Sequence, residues 1–186
     1  MHRRSFLKAA TAAVPAGLHD FLAAQSSQAP STSPELHVVS AGGDLNGHPH
    51  TMGFSSIFFK VSGSETGGRV FIIEHTHLMP GGPPLHLHFN QDEWFYVMDG
   101  EIAFQVGDQR LHLSAGESVL APRLIPHAFS SVSPTVPSRM MIAFTPAGKM
   151  EQFFHDGESN PSAALTAEFM SNYEMKFVGP SPFRKT

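Results

Sequence analysis

The chain contains no cysteine. Disulfides, thiolate nucleophiles and thiolate metal sites are therefore excluded. Imidazole and carboxylate remain as the strong metal ligands. Charge is also scarce: Asp, Glu, Lys and Arg make up 15% of the residues, and the net charge is −4. Beyond the first few residues there is no Lys/Arg block, so nothing marks a nucleic-acid partner. Near the N-terminus, the weakly apolar stretch from Ala9 to Leu18 is too short to span a bilayer.

Against these absences stand 16 Gly, 15 Pro and 16 Phe in 186 residues, with 41% hydrophobic content. The length suits one domain with a tail, and turn residues combined with Phe and β-branched runs point to β structure. From Glu35 onward the chain reads as short strands between turn signals. "ELHVV" is expected as a first strand, followed by the loop "GGDLNGHPHT". "SIFFKVS", "RVFIIEHTHL", "EWFYVMD", "IAFQV", "RLHLS", "GESVLAP", "HAFSSVS" and "SRMMIAFTP" follow, about nine strands in all, the pattern of a sandwich or barrel. After Pro146 the character changes. "KMEQFFHD" and "PSAALTAEFMSNYEM" carry helix formers, which predicts a short helical tail over one end or side of the barrel.

The first residues read as an address. Arg3-Arg4-Ser5-Phe6-Leu7-Lys8 resembles the twin-arginine export signal. The resemblance implies export of a folded protein to the periplasm or beyond. "SSQAPSTSP" reads as a disordered linker behind a cleavage site near Ala24-Gln25-Ser26. The expected organisation is an export signal over 1–26, a linker and first strand over 27–52, a barrel over 53–148 and a helical tail over 149–186.

Twelve histidines form the other excess. In "PPLHLHFNQDEWFYVMDGE", period-two alternation puts His86 and His88 on one strand face and Leu85 and Leu87 on the other. Two adjacent imidazoles fill a core poorly but suit a metal. The following strand alternates Glu93, Phe95 and Val97 against Trp94, Tyr96 and Met98, and Asp99-Gly100 reads as a hairpin turn. "PRLIPH" is a stiff turn that holds His127 opposite the first pair. His75 and His77 repeat the H-x-H pattern without a following glutamate and are expected at the surface or behind the ligands. His48, His50, His112 and His155 are expected to face solvent. Phe71, Ile73, Phe104, Phe129, Met141 and Phe144 are expected in the core.

His86-x-His88-x4-Glu93-x6-Gly100 is similar to the first cupin motif, with Gly81 or Gly82 at its leading glycine. Gly116-x5-Pro122-x4-His127 resembles the second, although Leu124 stands where that family usually has glycine and Ser131 where it often has asparagine. The resemblance covers roughly residues 53–148 and extends to single-domain bacterial quercetin dioxygenase-like cupins. It implies an all-β jelly-roll barrel, often a homodimer. It also implies one divalent transition metal ion (Fe, Mn, Ni, Cu or Zn) held by His86, His88, Glu93 and His127. A set of neutral imidazoles with one carboxylate suits such an ion and leaves positions open.

Three functions follow as expectations. The first is an oxidoreductase that cleaves an aromatic or enol substrate with O2, with Glu93 as ligand and catalytic base. The second is a metal-dependent lyase, hydrolase or isomerase acting on a small polar acid, which needs an inward cation; Arg123 is the one obvious candidate. The third is a non-catalytic binder of a small molecule. Fold-level analogy does not choose among them.

Overall fold

The structure, a computed structural model, describes residues 36–184. The chain divides into two units, Met1–His37 and Val38–Thr186, and every element and site considered belongs to the second. The export signal and most of the linker lie outside the described residues.

Two antiparallel sheets face each other. The first contains β1 (His50–Thr51), β2 (Ser56–Val61), β3 (Phe71–Leu78), β5 (Asp92–Asp99), β8 (Ser118–Ala121) and β10 (Ser138–Thr145). Their spatial order is β1-β2-β3-β10-β5-β8. The second contains β4 (Leu85–His88), β6 (Glu101–Val106), β7 (Gln109–Ser114), β9 (His127–Ser131) and β11 (Met175–Gly179), in the order β11-β4-β9-β6-β7. Period-two alternation fills the space between them. Ile57 and Phe59 of β2, Phe71 and Ile73 of β3, Phe95 and Val97 of β5, and Ile142 and Phe144 of β10 meet Ile102 and Phe104 of β6 and Phe129 of β9. Met140 occupies the inward position of β10, and the expected core residue Met141 is only half-buried, one step out of phase.

Asp99-Gly100 is a turn but makes no hairpin. β5 and β6 belong to different sheets, so these residues carry the chain across the sandwich. Gly100 has φ +77°, and a Cβ there would lie 2.6 Å from Ser138 Oγ, so both the corner conformation and its packing favour glycine. Residues 36–40 are irregular, so the expected "ELHVV" strand is not formed over its described part.

The tail begins with α1 (Met150–Glu158), α2 (Pro161–Ala164) and α3 (Ala167–Ser171). Met150, Phe153, Phe154 and Gly157 form the buried stripe of α1 at i, i+3, i+4 and i+7 spacing. The expected second helix splits at Leu165-Thr166. Asn160 caps α2 through Ala163 N–H at 3.2 Å, and Thr166 caps α3 through Phe169 N–H at 3.3 Å. The tail then returns as β11, pairing with β4 in the register Met175↔His88 and Phe177↔His86. This strand, absent from the sequence reading, covers the edge of β4 that would otherwise be open.

Candidate metal centre

The four residues singled out by spacing come together. His86, His88, Glu93 and His127 are all buried, and one ligand atom from each lies within 4.8 Å of the others. Three strands and a turn produce this. On β4 the imidazoles point inward and Leu85 and Leu87 outward, so the polar face is the one that is buried. Glu93 sits at the start of β5, opposite Ala121 of β8 and Phe144 of β10. His127 opens β9 directly opposite His86. The turn before it holds Leu124 at φ +68°. That left-handed conformation costs a residue with a Cβ about 1–2 kcal/mol, and glycine would bear it without strain. Leu124 N–H donates to the His88 carbonyl at 2.8 Å, which ties this turn to the histidine strand. Gly82 is required on packing grounds, since a Cβ there would fall 1.7 Å from the Phe129 carbonyl oxygen.

Hydrogen bonding sets the ring orientations. His86 Nδ1–H donates to the Pro84 carbonyl at 2.9 Å, and His127 Nδ1–H donates to the Ile125 carbonyl at 3.0 Å. A carbonyl can only accept, so each ring has its Nε2 lone pair free for the centre. His127 Nε2 lies 2.8 Å from Glu93 Oε2, and His88 Nε2 lies 3.0 Å from the same oxygen. Neither ring nitrogen of His88 makes a well-directed hydrogen bond, although both are buried. A carboxylate oxygen facing nitrogen lone pairs at this range calls for a positive charge among them, either a proton or a metal ion. The donor set of three imidazoles and one carboxylate fits a divalent first-row ion.

Burial opposes ionisation of Glu93, but His127 and His88 outweigh it and hold the carboxyl well below the usual carboxylate range. Burial pushes the His86 imidazole down to about 3, helped by the neighbouring His127 and His88. His86 is therefore neutral, the form that ligates metals.

A small cavity of about 40 Å3 adjoins the cluster. His75, His86, His88 and Glu93 supply its polar lining. Phe54, Phe129, Ile142 and Phe144 line it from the barrel, and Met150, Phe153, Phe154, Leu165 and Met170 from the helical tail. The tail thus forms the cover of the chamber. A surface groove of about 680 Å3 lies beyond this wall and shares Met52, Phe54 and Leu165 with it.

Of its two expected places, the surface or behind the ligands, His75 does not take the first. It is buried in the cavity wall, with Nδ1 2.7 Å from Ser55 Oγ. Burial lowers it to about 4, and the Glu93 charge opposes the shift only in part, so the ring is neutral. No local signal separates it from exposed His77, two residues on, which would share its face in a regular strand; His77 takes a left-handed φ of +52°, and the alternation of β3 breaks there. Arg123 lies outside the chamber, exposed and paired with Asp92 through two side-chain hydrogen bonds of 3.0 and 2.7 Å. It is not the inward cation that a small polar acid would need.

The chain's middle, residues 74–144, matches the cupin domain model. No curated protein matches the chain. Among solved structures, it is similar to an RmlC-like cupin from Shewanella frigidimarina NCIMB 400. That match has 15% identity and a TM-score of 0.52, covering 63% of this chain and 96% of the other. It is also similar to Pac13, a nucleoside dehydratase of Streptomyces, with 8% identity and a TM-score of 0.53, covering 79% and 94%. At such identities the likeness is one of fold. The protein is a cupin-type β-sandwich with a short helical tail and a buried His/Glu cluster that could hold a metal ion.

Proposed function

We propose that His86, His88, Glu93 and His127 hold one divalent transition metal ion, and that the protein is an oxidoreductase cleaving an aromatic or enol substrate with O2. The observation that carries this reading is the chamber wall. It is built from Phe, Met, Leu and Ile, and neither Lys nor Arg lines it. Such a surface suits a flat apolar ring and provides nothing to hold a carboxylate. The bound ion would supply a Lewis-acidic meeting point for the substrate oxygen and O2.

The chain's own residues do the rest. Glu93, facing the cavity, takes the proton of the acidic substrate hydroxyl. His75, held by Ser55, presents a neutral imidazole to the ring edge. The aromatic wall excludes water from the reacting atoms. About 40 Å3 holds roughly three waters, so a ring enters only when the tail side chains swing aside. The outer groove bordered by Met52, Phe54 and Leu165 is the approach.

The test is O2 uptake by the protein loaded in turn with iron, manganese, nickel, copper or zinc, screened against flavonols and smaller enols. Substrate-dependent uptake with at least one redox-active ion is expected. No uptake with any pairing would overturn the oxidoreductase reading and leave the binder.

Two further proposals accompany this reading. The protein is exported through Arg3-Arg4, so Lys at both positions should trap it in the cytoplasm, because the receptor reads the guanidinium pair; unchanged export would refute this. It also forms a homodimer. The exposed strip of Trp94, Tyr96 and Leu120 on the outer face of β5 and β8 is the surface it would use; a monomer in sedimentation would refute that.

A further inference from the structure

A second histidine cluster lies apart from the cage, and none of its residues lines the cavity. His48 and His50 flank Pro49 at the entry to β1, and Glu158 ends α1. The sequence pattern predicts both histidines in solvent. His48 is exposed, but His50 is 0% exposed. It is stacked on Phe59, with ring centroids 4.0 Å apart and planes 17° apart.

We propose that His48, His50 and Glu158 form a second divalent metal site that fastens β1 to the end of α1. One ligand atom from each of the three residues lies within 4.8 Å of the others. His50 Nδ1 is 2.8 Å from Glu158 Oε2, and His48 Nδ1 is 4.0 Å from Glu158 Oε1. Bonds of about 2.0–2.2 Å to one ion place neighbouring ligands roughly 3.0–3.5 Å apart at tetrahedral or right angles. The two observed distances bracket that range. Two imidazoles and a carboxylate suit a borderline divalent ion such as zinc, with the remaining positions open to water.

The buried end of His50 supplies the independent observation. Its Nε2 has no hydrogen-bond partner, and the group it faces is Asp44 Oδ2 at 3.9 Å. If Nδ1–H merely donates to Glu158, Nε2 is left as a bare lone pair pointed at a carboxylate. If Nδ1 ligates an ion, Nε2 carries the proton and becomes a donor aimed at Asp44, the arrangement that orients metal-bound histidines. Asp44 is itself fixed, accepting from Asn46 N–H at 2.6 Å and Phe59 N–H at 2.5 Å. His155, one turn before Glu158 on α1, packs edge-on against His50 with ring centroids 5.0 Å apart. It adds a further imidazole beside the cluster, and His-x-x-Glu on a helix places both side chains on one face.

The consequence is mechanical. α1 contributes Met150, Phe153 and Phe154 to the chamber cover. An ion joining its last residue to β1 would hold that cover closed.

The experiment uses untagged full-length protein, stripped with a chelator and then brought to equilibrium by dialysis against micromolar zinc. Wild type should bind two ions per chain. His48→Ala with Glu158→Gln should bind one, and His86→Ala with His127→Ala should also bind one. Zinc should raise the melting temperature of the second pair variant, and should no longer do so when all four substitutions are combined. His48 is exposed and Glu158 ends a helix, so the first pair variant should fold, with circular dichroism as the check. A wild type that saturates at one ion would overturn the proposal. So would a His48→Ala/Glu158→Gln variant that still binds two. If Glu158 serves only as an ion-pair partner of His50, Glu158→Gln lowers the melting temperature equally with and without zinc, and that result also overturns it.

Discussion

His86→Ala combined with His127→Ala is expected to strip the protein of the divalent ion proposed for this cluster. After dialysis against metal-free buffer, wild type should retain close to one divalent ion per chain and the variant close to none. The reason is the loss of two of the four clustered ligands. Losing even an outer support of a metal ligand typically costs about 10–100-fold in affinity, and losing two ligands outright costs more. Stability should fall as well. Glu93 would keep only His88 beside it, and breaking a buried ion pair by removing one partner costs about 3–5 kcal/mol. His86→Ala alone keeps the His127–Glu93 contact and serves as the milder variant if the pair does not fold. Near-stoichiometric metal in the folded double variant would refute the cage.

Glu93→Gln is expected to separate the proposed catalysis from the proposed metal binding. The amide is nearly isosteric, so the three imidazoles remain around the centre and the ion should bind more weakly but still bind. Turnover in the O2-uptake assay should fall by about 10²–10⁴, the usual contribution of a positioned general base. A side-chain amide cannot accept the substrate proton, and Glu93 is the one carboxylate in the cavity lining. The comparison must be made at equal metal occupancy, measured on the same samples. A metal-loaded Glu93→Gln variant that keeps most of its O2 consumption would show that Glu93 acts only as a ligand or a structural residue.

The ionisation of Glu93 gives the centre a consistent electrostatic logic. Burial alone would favour the neutral acid, yet the adjacent imidazoles reverse that preference. An apolar chamber therefore contains one fixed negative charge, with neutral His86 beside it. A cation is the natural complement of that charge.

Much of this was legible along the chain because it is local. Period-two alternation placed His86 with His88 and Glu93 with Phe95 and Val97, since a strand turns successive side chains to opposite faces wherever it is formed. The absence of cysteine and the spacing of three histidines and a glutamate singled out, ahead of the fold, the four residues that the structure brings together. The sandwich and the helical character of the tail were readable in the same way.

Tertiary structure decided what depends on partners distant in sequence. Asp99-Gly100 has the residues of a hairpin turn, but whether the strands beyond it pair is settled by their neighbours, β10 and β8 on one side and β9 and β7 on the other. β11 has no strong alternation of its own and exists because β4 offers an unpaired edge. Leu124 takes a glycine's conformation because the His88 carbonyl and the turn to His127 require it. His50 and His75 look like their exposed neighbours in the sequence. They are buried because Phe59 with the end of α1 closes over one, and the Phe-lined chamber closes over the other. Burial is a property of the assembled surface, and no window of the sequence contains all the residues that create it.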